Sequence, residues 1–85
     1  MPIKVQKKDG RLEDFDRSKM ARGILKSGAT TEQAENIAAQ VETWAQTASV
    51  NGVVGALEIR TKVLEVLRSV NPEAAAAFEA YRKAV

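Results

Sequence analysis

The sequence contains neither cysteine nor histidine among its 85 residues. Without thiols and imidazoles, the protein cannot form disulfides, build a cysteine zinc ribbon or use a histidine as general base. There is also no low-complexity linker and no internal repeat that would divide the chain. These absences remove most of the residue types on which metal-dependent and covalent enzymes rely.

Long hydrophobic runs are missing as well. No stretch approaches the roughly 18 apolar residues that a membrane span requires, and the N-terminus, Met1-Pro2-Ile3-Lys4, lacks the apolar run of a signal peptide. We therefore expect a cytoplasmic protein. With 45% hydrophobic and 28% charged residues, the composition is that of a soluble globular protein, and the length predicts one domain over residues 1–85.

Charge is distributed unevenly, although the formal net charge is only +2. Residues 1–27 contain twice as many basic as acidic side chains, and the remainder of the chain is slightly acidic. We expect an anionic partner to meet the N-terminal third.

The first fifteen residues predict a short β-hairpin. Apolar and polar residues alternate from Ile3 to Lys7, and Lys8-Asp9-Gly10 favours a tight turn because Asp and Gly tolerate positive φ. The chain then returns as a second strand from Arg11 to Phe15. Because an isolated hairpin is marginally stable, its apolar side chains should pack on the rest of the protein. These side chains are Ile3, Val5, Leu12 and Phe15.

Four helices are predicted after the hairpin, at about 17–27, 31–47 and 56–69, and from Pro72 to the end of the chain. Asp16, Thr30 with Gln33, and Asn71 are predicted caps for the first, second and fourth helices. Residues 49–55 carry no helical pattern and are interpreted as a turn. The predicted fold is α+β and mostly helical, with an N-terminal β-hairpin lid over a four-helix bundle in the order ββαααα.

The apolar periodicity predicts which side chains face the core. The AAAA run at 74–77 is interpreted as a stretch that favours the helix through the high helix propensity of alanine. Trp44 shares the stripe of its helix, which favours a packing role over an exposed stacking platform. Arg82 and Lys83 are polar residues able to reach a ligand. The predicted inward residues are Met20, Ile24, Leu25, Ala34, Ile37, Ala38, Val41, Trp44, Ala45, Leu57, Ile59, Val63, Val66, Leu67, Val70, Ala74, Phe78 and Tyr81.

Candidate anion-binding residues are concentrated between positions 5 and 19. Lys7 and Lys8 precede the glycine turn, while Lys19 and Arg22 lie on the first turns of the next helix, so these cations could converge on phosphates. A hairpin lid would also offer an apolar surface for a purine ring, formed by Val5 and Phe15. Spacing alone favours a simpler interpretation, a solvated lysine pair beside an ordinary turn.

Nothing in the sequence predicts catalysis. The acids Glu13, Asp14 and Asp16 cluster at a strand-to-helix junction, where they are expected to cap and solubilise rather than transfer protons or bind a metal. Glu13 could accept from a ribose hydroxyl, although an ion pair with Arg11 or Lys4 across the hairpin is the favoured interpretation. No Walker motif, dinucleotide fingerprint or nucleophile-elbow serine is present, so we expect no enzymatic activity.

Two segments, Val5-Gln6-Lys7-Lys8-Asp9-Gly10 and Glu13-Asp14-Phe15-Asp16-Arg17-Ser18-Lys19, resemble the opening signature of the ATP-cone family. The resemblance covers nearly the whole chain. Ile59-Arg60 with Val63 and Leu67 is similar to the family's third-helix pattern, and Ala77-Phe78-Glu79-Ala80-Tyr81-Arg82 is similar to its closing aromatic pair followed by arginine.

ATP-cones occur in ribonucleotide reductase large subunits, in the zinc-ribbon repressor of reductase genes and in some archaeal phosphoglycerate kinases. The resemblance implies ATP or dATP as effector, with or without Mg²⁺, and control of an attached domain. It also implies roles for individual residues. The phosphates would be contacted by Lys7, Lys8, Lys19 and Arg22. The sugar or base would be oriented by Glu13 and Asp16. The adenine pocket would be lined by Val5, Phe15, Met20 and Ile59.

One departure bears on affinity or base preference: the family often has Ser or Thr where this chain has Gly55-Ala56 at the start of the third helix. The leading hypothesis is an adenine-nucleotide-binding regulatory domain that controls a partner protein or an oligomeric state. A degenerate cone that serves as a protein-interaction or oligomerisation module is the alternative. Nucleic-acid binding through the basic N-terminal third ranks last, because no recognition helix or aromatic platform supports it.

Overall fold

The computed structural model describes the backbone of residues 3–83 and the side chains of residues 3–80. The predicted α+β, mostly helical fold is confirmed, and the predicted helices agree closely with the observed ones. The elements in chain order are β1 (Lys4–Gln6), β2 (Leu12–Asp14), α1 (Arg17–Lys26), α2 (Thr31–Ala48), β3 (Val53–Gly55), α3 (Ala56–Val70) and α4 (Pro72–Lys83).

The sheet has a third strand that the predicted order ββαααα omits. Strand β1 lies in the middle, antiparallel to β2 with Val5 opposite Glu13, and parallel to β3 with Val5 opposite Val54. The interpretation of residues 49–55 as a turn is therefore correct only up to Gly52. A three-residue strand is too short to show alternation, and its partner lies far away in the sequence.

Local sequence signals determine where the helices begin and end. The Asp16 carboxylate accepts from the first turn of α1, Thr30 and Gln33 form the predicted capping box of α2, and the Asn71 side chain accepts from the first turn of α4. Gly28 follows α1 with φ +108°, a conformation that glycine adopts without a steric penalty. These predicted caps and the predicted helix stop are confirmed.

The core lies where the sheet and the four helices meet. Four residues that the sequence pattern did not place in it are buried: Ala29, Val54, Leu64 and Ala75. Because Ala74 and Ala75 are both buried, the alanine run contributes packing as well as helix propensity. The buried hydrophobic residues are Ile3, Ile24, Ala29, Ala34, Ile37, Ala38, Val41, Ala45, Val54, Ile59, Val63, Leu64, Leu67, Ala74 and Ala75.

Four residues predicted to be inward are exposed instead: Leu12, Leu25, Leu57 and Val70. Leu57 and Val70 lie in the first and last turns of α3, where the helical periodicity continues but no other element covers the side chain. Leu12 lies on β2, one of the two edge strands of the described sheet.

Trp44 is half-buried against the core, as predicted, and Lys62 places its ammonium 6.0 Å from the centre of the indole ring. The predictions for the side chains of Tyr81, Arg82 and Lys83 and for the structure of Met1 and Pro2 lie outside the described residues. Among the helices of the described part of the chain, none has the length and apolar character needed to cross a membrane.

Candidate functional site

An apolar cavity of about 460 Å³ lies between the hairpin and helices α1, α3 and α4. Its volume falls in the range of small-molecule binding sites, and its walls are mostly apolar with a few charged groups at the edge, as such sites usually are. The side chains come from four elements that the fold brings together. The lining residues are Val5, Lys7, Glu13, Asp14, Phe15, Asp16, Lys19, Met20, Gly23, Ala56, Ile59, Arg60, Val63 and Phe78.

A second, larger depression of about 890 Å³ adjoins the cavity, and we call it the basic groove. It lies between the hairpin turn and the start of α3. Lys7, Glu13, Lys19 and Ala56 line both spaces, so they mark the boundary between them. The residues of the basic groove are Gln6, Lys7, Lys8, Asp9, Gly10, Arg11, Glu13, Lys19, Gly55, Ala56 and Leu57.

The hairpin turn places two lysines at the groove. The amide of Gly10 donates to the Lys7 carbonyl at 2.9 Å, and Gly10 itself has φ +92°, which requires glycine or a residue tolerant of that conformation. Arg11 is paired with Asp9, with Nε 2.8 Å from Oδ2. Because the charges of Arg11 and Asp9 cancel, the net positive charge of the groove comes from its lysines.

Glu13 forms the ion pair expected across the hairpin, but with a different partner. Its Oε1 lies 3.5 Å from Lys7 Nζ, whereas Lys4 pairs with Asp14. The strand register explains the change. Glu13 stands opposite Val5, and Lys7 follows Val5 by two residues, directly after the end of β1, whereas Lys4 faces Asp14 directly.

The basic side chains differ in whether they are already paired. Within residues 3–80, the ion pairs do not include Lys8 or Lys19. Both line the basic groove. These two ammonium groups are therefore available to an anion without the loss of an existing ion pair.

Helix α3 begins at the groove without a side-chain cap. Its N-cap residue is Gly55, whose amide donates to Glu58 Oε2 at 3.3 Å, while the amides of the first turn receive no side-chain cap. Unpaired amides at a helix N-terminus, together with the positive end of the helix dipole, favour an anion. The helix start that opens into the basic groove thus differs from those capped by Asp16, Thr30 and Asn71.

The acids at the strand-to-helix junction have structural roles. Asp16 Oδ1 accepts from the amide of Lys19 at 3.1 Å, which is the predicted cap, and Asp14 is exposed in its pair with Lys4. Among the described residues, no group of three acidic, histidine or cysteine side chains is placed to hold a metal ion. Asp16 also lines the apolar cavity, so its carboxylate is a further acceptor beside that space.

The structure brings most of the predicted site residues together. Lys8 lies in the basic groove but not in the apolar cavity, and Arg22 lines neither. The other predicted site residues, Val5, Lys7, Glu13, Phe15, Asp16, Lys19, Met20 and Ile59, all line the apolar cavity.

Sequence reasoning did not assign six of the lining residues to the site: Asp14, Gly23, Ala56, Arg60, Val63 and Phe78. Phe78 and Val63 follow the core periodicity, so the pattern gave them a packing role only. The sequence contains only a weak indication that Arg60 belongs to the site. It is a cation directly after the apolar Ile59, on a helix face that is largely buried.

The model of the ATP cone domain family matches this chain over residues 3–84. The chain is 40% identical over 75 residues to the transcriptional repressor NrdR of Gloeothece citriformis, an alignment that covers 84% of this chain and 41% of that protein. It is 35% identical over 85 residues to the transcriptional repressor NrdR of Petrotoga mobilis, with 95% of this chain and 56% of that protein covered. The chain thus spans about half the length of these curated relatives.

Proposed function

This chain belongs to the ATP cone domain family, and on that premise we propose that it binds ATP or dATP and regulates a larger protein or assembly. The observation that carries the proposal is the joining of an apolar cavity to a basic groove, with Lys7, Glu13, Lys19 and Ala56 at their boundary. A nucleotide has the same two parts, a flat apolar base and a polyanion.

The base would occupy the apolar cavity. Phe15 follows the hairpin, Met20 lies on α1 and Ile59 lies on α3. The cavity therefore offers apolar contacts from more than one element. An aromatic face such as that of Phe15 can stack on any base, so the acceptors at the edge of the cavity must provide base preference. Glu13 and Asp16 can accept hydrogen bonds from the amino group of adenine or from ribose hydroxyls.

The phosphates would occupy the basic groove. Lys8 and Lys19 line it from different elements, the hairpin turn and α1, and the start of α3, which has no side-chain cap, lines it as well. Charge-assisted hydrogen bonds from several ammonium groups are the usual means of binding a triphosphate. Mg²⁺, where it accompanies the nucleotide, would be held by phosphate oxygens and water rather than by a protein cage.

The regulatory part of the proposal rests on the relatives, which are transcriptional repressors. We propose that nucleotide state in this domain controls a repressor of that kind, or another protein linked to ribonucleotide reductase, by altering its contacts or its oligomeric state. Control of this type requires that the nucleotide bind one conformation or assembly more tightly than the other.

Calorimetric titration with ATP, dATP and GTP tests the proposal directly. The wild-type chain is compared with a Lys7→Ala/Lys19→Ala double variant, in which both cations at the boundary are removed. Lys26→Ala/Arg68→Ala is the matched control, because it removes the same charge from exposed positions that line neither space.

We expect saturable binding of ATP and dATP, with a loss of roughly a hundredfold in the first double variant and little change in the control. Equal loss in both would mean that only net charge matters. No saturable binding up to millimolar nucleotide would leave the degenerate cone, a protein-interaction module, as the better description.

A further inference from the structure

Arg60 stands in the wall of the apolar cavity with an incompletely satisfied side chain. Its Nε–H is buried and has no hydrogen-bond partner among the described residues. Its Nη2 donates to the backbone carbonyl of Glu79 at 3.4 Å, a distance beyond the usual range for such bonds. A buried donor without a partner is unfavourable, so this arrangement is one that a better acceptor would displace.

Arg60 also has no ion-pair partner within residues 3–80. The same cavity wall includes the apolar side chains of Ile59, Val63 and Phe78. A partly buried cation in apolar surroundings favours a ligand that supplies an acceptor or a negative charge.

The Glu79 carbonyl belongs to a different helix. Glu79 lies near the end of α4, and α4 packs mainly on α3 and less extensively on α1. The Arg60 hydrogen bond is thus one of the polar links between the cavity wall on α3 and the last turns of α4.

We propose that Arg60 exchanges this bond for one to the bound nucleotide, and that the exchange reports an occupied cavity to α4. The inference rests on the proposed function. The acceptor would belong to the nucleoside, because Arg60 lines the apolar cavity and not the basic groove where the phosphates would lie. Adenine offers ring nitrogens that accept from a guanidinium. Release of the Glu79 carbonyl loosens the link between α3 and α4.

Nuclear magnetic resonance of the isotopically labelled chain tests the exchange at both ends. The Nε–H signal of Arg60, assigned by its disappearance in Arg60→Lys, should move downfield on saturation with ATP as it gains an acceptor. The carbonyl carbon of Glu79 should shift in the same titration as it loses a donor. Inorganic triphosphate alone should move neither signal, and adenosine at high concentration should move both.

Affinity provides a second measurement. Arg60→Met keeps the apolar stem and should weaken ATP binding about tenfold without weakening triphosphate binding. Arg68→Met is the matched control, since Arg68 is an exposed arginine on the same helix and lines neither space. Circular dichroism checks that each variant keeps its helices.

The outcomes separate this inference from the proposed function. If ATP binds but leaves the Arg60 Nε–H and Glu79 carbonyl signals unmoved, or if triphosphate alone shifts them, the exchange is wrong and nucleotide binding stands. If calorimetry finds no saturable nucleotide binding, both fail together.

Discussion

Lys7 and Glu13 meet across the hairpin, with Nζ 3.5 Å from Oε1, where the apolar cavity joins the basic groove. Both side chains are partly solvent-exposed, at 39% and 41%, so the pair itself contributes little to folding stability. Its position suggests a different role. In the absence of a ligand, the carboxylate holds the ammonium at the boundary that a nucleotide would cross.

Removal of the carboxylate should therefore strengthen the binding of two ligands to different extents. In Glu13→Gln, Lys7 loses its charged partner, so inorganic triphosphate should bind several-fold more tightly, while ATP gains less because the amide oxygen is a weaker acceptor for the base or ribose than the carboxylate. Calorimetric titration of both ligands measures the difference. Equal changes for the two ligands would show that Glu13 acts only through Lys7.

A hydroxyl at the start of α3 should strengthen nucleotide binding. Ala56 lines both the cavity and the groove, so Ala56→Ser would place a donor at their boundary. One added hydrogen bond to a charged phosphate corresponds to roughly a tenfold gain in ATP affinity, measured by calorimetry. Thr61→Ser, on the exposed face of the same helix, is the control. No gain would place the phosphates away from this helix start.

Gly23 lies inside α1 and lines the cavity, and a Cβ added there would meet no atom within 4 Å. Gly23→Ala should raise the free energy of unfolding by about 0.5–1 kcal/mol, because alanine is the better helix former. The midpoint of thermal unfolding should rise by several degrees, on the order of 4–8 °C per kcal/mol.

The same substitution at Gly28 should have the opposite effect on the midpoint, since its φ of +108° strains any residue with a Cβ. At Gly23, the added methyl should also weaken ATP binding because it occupies part of the cavity. A Gly23→Ala variant that is both more stable and unchanged in affinity would show that the nucleotide does not approach this turn of α1.

Two leucines of α3 that share one predicted stripe should respond very differently to truncation. Leu67 is fully buried and Leu57 is 68% exposed. Leu67→Ala should lower the free energy of unfolding by about 2–5 kcal/mol through lost contacts and the cavity left behind, whereas Leu57→Ala should change it by less than about 0.5 kcal/mol. Urea denaturation measures both, and similar losses would contradict the observed orientation of α3.

The helices could be predicted because their signals are local. Asp16, Thr30 and Asn71 cap the turns that directly follow them, so a few neighbouring residues contain the information. Strand β3 could not be predicted in this way. Val53 and Val54 form a strand only because β1 lies beside them, and no local pattern in residues 49–55 specifies that partner.

The same difference between local and long-range information applies to the residues of the candidate site. Lys7, Lys8 and Glu13 lie in one contiguous motif, so the resemblance of that motif to the ATP-cone signature was enough to find them. Arg60 and Phe78 lie on α3 and α4, and only the packing of those helices brings them to the hairpin. Their periodicity predicts burial, and a residue can be buried against either a core or a ligand.

The central position of β1 also constrains the order of events during synthesis. The middle strand of the sheet leaves the ribosome first, but its parallel neighbour β3 follows only after the whole of α1 and α2 has been made. Until then one edge of β1 has no backbone partner and can pair with another chain. Completion of α2 and β3 is therefore the point at which a nascent chain becomes protected from strand exchange with its neighbours.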